Sequence, residues 1–315
     1  MTAQDSATAA SRITVPPSAA SPERPGPAAL GDRGGLLLAA LGVTAFSLTF
    51  PATDWALRGF GPWSTVTVRI VLAALLAGGC LAARRVPVPP RAQWAGLAVV
   101  AAGTVIGFPL LTTLALQTSS TAHAAVVVGL LPLTTAVYSA LRTGNRPSRA
   151  FWAAALTGAA IVLTFALYES GGAPATGDLY LAGALLICAA AYAEGGRLAR
   201  EMPGWQVIGW ALVGCLPLAV AGAWLALAIE PVEPSWHAVS GLLWLAAGSQ
   251  FVGLLLWYRG MARTGVARAS QVQLAQPLLT LLWSFLLLGE RLTPAAPLAA
   301  VAVLFCIAAT QRSRA

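Results

Sequence analysis

The sequence predicts an all-α membrane protein of ten transmembrane helices arranged as two inverted five-helix repeats. Three observations predict it: the composition, the placement of arginine along the chain, and an internal match between the two halves. Of 315 residues, 57% are hydrophobic and only 10% are charged, against about 45–50% and about 25% in soluble domains. Thirty ionisable acids and bases cannot cover a water-facing sphere of this size, so lipid must be the solvent for most of the surface. A mean hydropathy of +0.74 agrees. Disorder and a disulfide scaffold are excluded by the apolar fraction and by four isolated cysteines, each inside an apolar stretch where it reads as a small packing residue.

Residues 1–34 are rich in Ala, Pro and Ser and hold no apolar run of signal-peptide length, so they read as a disordered cytoplasmic tail. Beyond them, apolar stretches of about 20 residues recur, the length that crosses about 30 Å of hydrocarbon. They fall near 35–53, 62–82, 93–114, 121–141, 150–168, 178–195, 205–228, 237–258, 266–288 and 294–311. The first five spans make one repeat, 35–168, and the last five a second, 178–311.

Arginine tests the count. All 19 basic residues are Arg. With the tail inside, sixteen fall on inner segments: Arg12, Arg24, Arg33, Arg84, Arg85, Arg91, Arg142, Arg146, Arg149, Arg197, Arg200, Arg259, Arg263, Arg268, Arg312 and Arg314. Only Arg58 and Arg291 fall outside, and Arg69 lies within a span. A missed helix would invert every later loop, so the asymmetry supports ten spans with both termini cytoplasmic in the cell (inner) membrane. The outer loops carry acids instead: Asp54, Glu169, Asp178, Glu230, Glu233 and Glu290. The net charge of +8 does not indicate nucleic acid, because the bases sit at helix ends and form no stripe that would track phosphates.

An offset of 145 residues brings Pro132–Ser148 onto Pro277–Thr293 with seven identities in seventeen positions, among them Pro132/Pro277, Thr135/Thr280 and Gly144/Gly289. The same offset pairs Gly103 with Gly248 and Ala122 with Ala267. Five spans per half is an odd number, so the second half enters the membrane from the opposite side. Inverted repeats are the usual architecture of secondary transporters, whose site lies near the midplane at the repeat interface.

The stretch from Gly61-Pro62 through Arg69, the segment Leu114–Pro132 and above all Tyr258–Thr293, with its mid-span proline and Gly289-Glu290-Arg291-Leu292 terminus, resemble the EamA-type drug/metabolite transporters. The resemblance covers about residues 35–311. It implies a two-repeat carrier for small organic solutes, commonly exporting, coupled to an ion gradient. The first repeat departs from the family pattern, with Gly144-Asn145-Arg146 where an acid is usual.

Polar residues inside the membrane are the site candidates, since an unpartnered charge there costs about 2.5 kcal/mol or more. Arg69, one turn beyond Thr65, has a planar fork suited to an anionic group such as a substrate carboxylate; alternatively it snorkels outward or pairs with Asp54. In the ninth span Gln273, Gln276, Thr280 and Ser284 share a helical face with Trp283 at its margin, and Thr135, Tyr138 and Ser139 occupy the equivalent face of the fourth. Interhelical hydrogen bonding is the alternative role for these groups. Gln250 in the eighth span is a weaker member of the set. Pro132 and Pro277 are the expected helix breaks, each removing a backbone hydrogen bond and freeing a carbonyl. His123 and Glu194 are candidates for proton coupling, although Glu194 stands three residues before Arg197, the spacing of a surface ion pair. Glu290 is read as tying its loop to Arg291 or to a neighbouring backbone donor.

Catalytic, metal and phosphate-loop motifs are absent, and His123 and His237 are too few for a usual zinc set, so no catalytic residue, metal or cofactor is expected. A membrane-embedded enzyme would need Ser249, Glu194 and His123 to cluster from different depths. A non-transporting scaffold would tolerate polar substitutions in the ninth span. The expected partners are a small-molecule substrate, the lipid bilayer and a coupling proton; nothing in the sequence sets an oligomeric state.

Overall fold

The computed structural model describes residues 33–143, 148–169, 171–173, 175–264 and 272–312. The expected tail lies outside them except for Arg33 and Gly34, which begin the first helix two residues earlier than the apolar run suggests. The Gly144-Asn145-Arg146 segment is also outside.

Among the described residues, eight helices are long and apolar enough to cross a membrane: α1 (Arg33–Leu57), α2 (Pro62–Ala83), α3 (Arg91–Ala115), α4 (Thr121–Arg142), α5 (Arg149–Glu169), α6 (Thr176–Leu198), α7 (Gly204–Ile229) and α8 (Trp236–Gly260). Two shorter apolar helices follow, α9 (Gln276–Leu288) and α10 (Ala295–Ala309). Both shorter helices adjoin residues outside the described set, 265–271 before α9 and 313–315 after α10. A turn at 274–275 cuts the expected ninth span. Among the described residues the only β-type pairing is an isolated bridge between Phe60 and Val232.

Capping follows local chemistry. Pro62 opens α2 at a position where its missing N–H costs nothing. The Ser120 and Ser235 hydroxyls accept from the backbone N–H of His123 and Ala238, at 3.1 Å each, to start α4 and α8. Gly289 ends α9 with φ of 68°, a left-handed conformation that glycine adopts without steric cost.

Helix pairing is extensive between α2 and α7, α1 and α8, and α5 and α10, with α3 and α4 both against α6. One apolar core joins α4, α5, α6 and α10 through residues such as Val126, Phe165, Leu181 and Val303. A second joins α2, α3 and α7 through Ile70, Val100 and Leu212. The remaining faces carry large exposed apolar side chains, including Leu156, Trp224, Leu298 and Phe305, as lipid contact requires.

Interruptions recur at matched places. α4 is broken by a turn at 129–130 and the chain entering α9 by a turn at 274–275, 145 positions later. Wide π-helical turns occupy Ala101–Gly107 in α3 and Trp244–Gly253 in α8, and contain Gly103 and Gly248, the same distance apart. Each proline stands two or three residues after its turn. Pro132 and Pro277 cannot supply the N–H that would bond the carbonyls of Val128 and Gln273, so the ladder opens there.

Candidate functional site

α1 is also discontinuous, and its cause lies in Pro51. One helical segment ends at Ser47 and the next begins at Thr49. Pro51 has no N–H for the Ser47 carbonyl four residues back. Thr280 of α9 fills the gap: its Oγ1 lies 3.0 Å from that carbonyl and equally far from the Gln276 carbonyl of its own helix. Trp283 Nε1 donates to Ser47 Oγ at 2.8 Å, and Ser47 Oγ donates to the Thr44 carbonyl at 2.8 Å. On the other side of the break, the Thr49 and Ser249 hydroxyls meet at 2.7 Å. Ser47, Ser249, Thr280 and Ser284 are all buried.

Next to Ser249, Gln250 continues this polar belt into α2. Arg69 Nε donates to Gln250 Oε1 at 2.9 Å, and both side chains are buried, at 4% and 6% exposure. Arg69 stands seven residues, about 10 Å, from the start of α2, well inside the hydrocarbon. Snorkelling is excluded by that burial. Pairing with Asp54 is excluded too, because Asp54 holds Arg58 at 2.7 Å at the exposed C-terminal end of α1. Thr65, one turn before Arg69 on the same face, is fully buried, and its hydroxyl has no hydrogen-bond partner. A narrow crevice of about 20 Å³ between α2, α7 and α8 reaches Gln250, with Trp205, Leu212 and Leu254 on its walls.

The breaks of α4 and α9 face each other. A Cβ built on Gly129 would lie in ordinary contact with Pro277 Cγ, at 3.4 Å, and 2.9 Å from the Val126 carbonyl of its own helix, so the two breaks are adjacent and it is the turn itself that is tight around Gly129. Gln273 and Gln276 flank the second break and are half-buried. Thr135 Oγ1 returns to its own Leu131 carbonyl at 2.8 Å, and Tyr138 is half-buried on the same helix. The structure thus joins Arg69 to Gln250, and Thr280 to the break in α1; it shows no direct bond from Thr135 or Tyr138 to that belt.

The two titratable candidates have different surroundings. His123 is buried near the start of α4; its Nε2 lies 2.6 Å from Asp178 Oδ1 of α6, and its ring stacks on Phe165 of α5 at 5.4 Å. Glu194, at the other end of α6, has one oxygen on Arg142 Nη2 at 2.8 Å and the other on Arg197 Nη2 at 2.7 Å. Both guanidiniums are half-exposed, so the group is an ion-pair tie between helix ends.

Sequence reasoning missed Ser47, Thr49, Asp178 and Glu230. Glu230, after α7, accepts from the Trp63 and Ser64 N–H groups at 3.1 and 2.7 Å and caps α2. Glu290 does the same for α4 through Thr121 and Ala122, at 2.9 and 3.0 Å. Pro51 was the one available signal, since it marks a freed carbonyl at Ser47. Among the described residues no three His, Cys, Asp or Glu gather as a metal site.

A model of the EamA-like transporter family matches the chain twice, over residues 33–167 and 175–310. The uncharacterized transporter YdeK of Bacillus subtilis (strain 168) is 41% identical over 277 residues, which is 86% of this chain and 95% of YdeK. A solved crystal structure whose description names no function shares the fold, with a TM-score of 0.62 and 22% identity over 88% of this chain and 98% of its own. The chain therefore belongs to the EamA-like transporter family, and it is a multi-pass membrane transporter of small molecules, not an enzyme.

Proposed function

We propose that the protein is a secondary carrier in the cell's inner membrane. It works by alternating access and exports a small polar organic solute, an amino acid or a related metabolite. Its two five-helix repeats, 35–168 and 178–311, are inverted in the membrane, with the tail 1–34 and both termini cytoplasmic. The solute site is lined by Arg69, Thr65, Gln250, Gln273, Gln276 and Thr280, with Thr135 and Tyr138 contributed by the first repeat.

The observation that carries this reading is the pair of helix breaks 145 residues apart, packed against each other at Gly129 and Pro277. A broken helix exposes backbone carbonyls to a solute and lets its two halves pivot, and paired breaks at a repeat interface are the form a midplane carrier site takes. Coupling is assigned to a proton at His123. A buried imidazole bonded to a carboxylate beneath the outer end of α4 is suited to taking a proton from the outer side. Glu194 is instead held between two arginines.

The test is flux into proteoliposomes from a pool of amino acids and other metabolites, read by mass spectrometry with and without an imposed pH gradient. Wild type is expected to move a saturable, gradient-driven solute; Gln276→Ala is expected to lower its flux at least tenfold. His123→Gln is expected to keep downhill exchange and lose gradient-driven accumulation. Full flux in Gln276→Ala would remove that residue from the site. No flux for any solute, from protein shown to be folded and inserted, would overturn the carrier reading.

A further inference from the structure

Among the described residues, Arg69 is a buried cation with no anion to balance it. Its Nε is occupied by Gln250 Oε1, a neutral partner, and its two terminal nitrogens donate to no described group. The carboxylates of the described residues are placed elsewhere. Asp54 holds Arg58, Glu194 holds Arg142 and Arg197, and Glu201 takes Arg197 and Gln93. Asp178 takes His123, Glu169 accepts from Thr293, and Glu230 and Glu290 cap helices. Glu233 sits in the outer loop beside Gly59. The nearest carboxylate along α2 is Glu230 at Ser64, five residues, or about 8 Å, towards the helix start.

A second group points the same way. Side chains on a helix lean towards its N-terminus, so the long Arg69 chain reaches back over the level of Thr65, four residues earlier on the same face. The Thr65 hydroxyl is fully buried and has no partner. A planar guanidinium whose Nε is taken keeps its end-on edge, the two terminal N–H groups that grip a carboxylate bidentately. Gln250 fixes the plane of that edge, and Thr65 supplies a third donor.

We propose that Arg69 and Thr65 form the receptor for the carboxylate of an organic anion or zwitterion, and that this carboxylate is the missing counter-charge of Arg69. The assignment deepens the carrier reading by naming the substrate class of the same site, and one of its two tests does not depend on transport.

The first test uses no solute. Gln250→Glu places a carboxylate where an oxygen already sits 2.9 Å from Arg69 Nε. It is expected to raise the thermal midpoint of the purified, solute-free protein by several degrees, because it completes a pair that is open in wild type; the same substitution in Arg69→Gln is expected to lower it. A lower midpoint in the single variant would mean that Arg69 is already neutralised, and would overturn the proposal.

The second test offers proteoliposomes matched acids and amides: amino acids with their amides, and lactate with lactamide. Acids are expected to move at least tenfold faster than their amides in wild type. Gln250→Glu and Arg69→Gln should each abolish that preference, and Thr65→Val should raise KM about tenfold with little change in maximal rate. Equal flux of acid and amide, or an unchanged preference in Arg69→Gln, would overturn the carboxylate receptor. If nothing moved in any vesicle, the carrier reading would fall, and the midpoint of Gln250→Glu would decide the anion site alone.

Discussion

Replacing Thr280 with Val tests whether the break in α1 is held by a side chain from α9. The Ser47 carbonyl is buried, has lost its helical donor to Pro51, and receives Thr280 Oγ1 at 3.0 Å as its donor among the described residues. Valine has nearly the same shape and no hydroxyl. The change leaves one buried carbonyl unsatisfied, at a cost of about 1–3 kcal/mol. Loss of the second contact, to Gln276, should matter little, because that carbonyl sits in a continuous helix with its own backbone donor. The sharper perturbation is the double variant. Pro51→Ala restores an N–H four residues after Ser47, so the carbonyl regains a donor within its own helix. Thr280→Val should then cost less than half as much, a coupling of about 1 kcal/mol in a double-mutant cycle. Equilibrium unfolding from mild micelles into denaturing detergent, followed by tryptophan fluorescence, reads all four proteins. Trp283, bonded to Ser47 Oγ at 2.8 Å, is a reporter inside the affected site. Effects that add within about 0.5 kcal/mol, the range for uncoupled sites, would refute the claim that Thr280 compensates for Pro51.

Two further outcomes follow from the packing. Glu290→Ala removes a carboxylate from two backbone donors at the start of α4; the site is half-exposed, so a loss of about 2 kcal/mol is expected, with Glu290→Gln intermediate, and an unchanged unfolding midpoint would refute the cap. Gly103→Ala drives a Cβ into Ala191 and to 2.6 Å from the Ile187 carbonyl, whereas Gly214 has nothing within 4 Å. The first should destabilise by about 1–3 kcal/mol and the second should be neutral or slightly stabilising; equal effects would mean that α3 and α6 do not approach as closely as described.

Much of the architecture was legible because it rests on local or compositional physics. The apolar runs follow from hydrocarbon thickness, and the 145-residue match located the turns at 129–130 and 274–275 through their prolines. Among site residues, Arg69 and Thr280 stood out by chemistry alone, while Ser47 and Thr49 did not, because a lone hydroxyl in an apolar run resembles any packing residue until its neighbour is known. Glu290 was legible as a loop tie; its target, the start of α4, was not.

The amino-acid sequence by itself determined the solvent, the helices, the family and the internal repeat, because each depends on patterns within about 20 residues or on similarity between stretches. Only the tertiary structure decided the partners. Arg69 and Gln250 are 181 residues apart, Ser47 and Thr280 are 233, and Glu290 and Thr121 are 169. In lipid the reason is specific: an apolar helix face gains little from choosing a protein neighbour over an acyl chain, so hydrophobic periodicity does not say which helix a face will meet. The pairings are set by close packing and by polar groups that must find one another, and those become visible only in three dimensions.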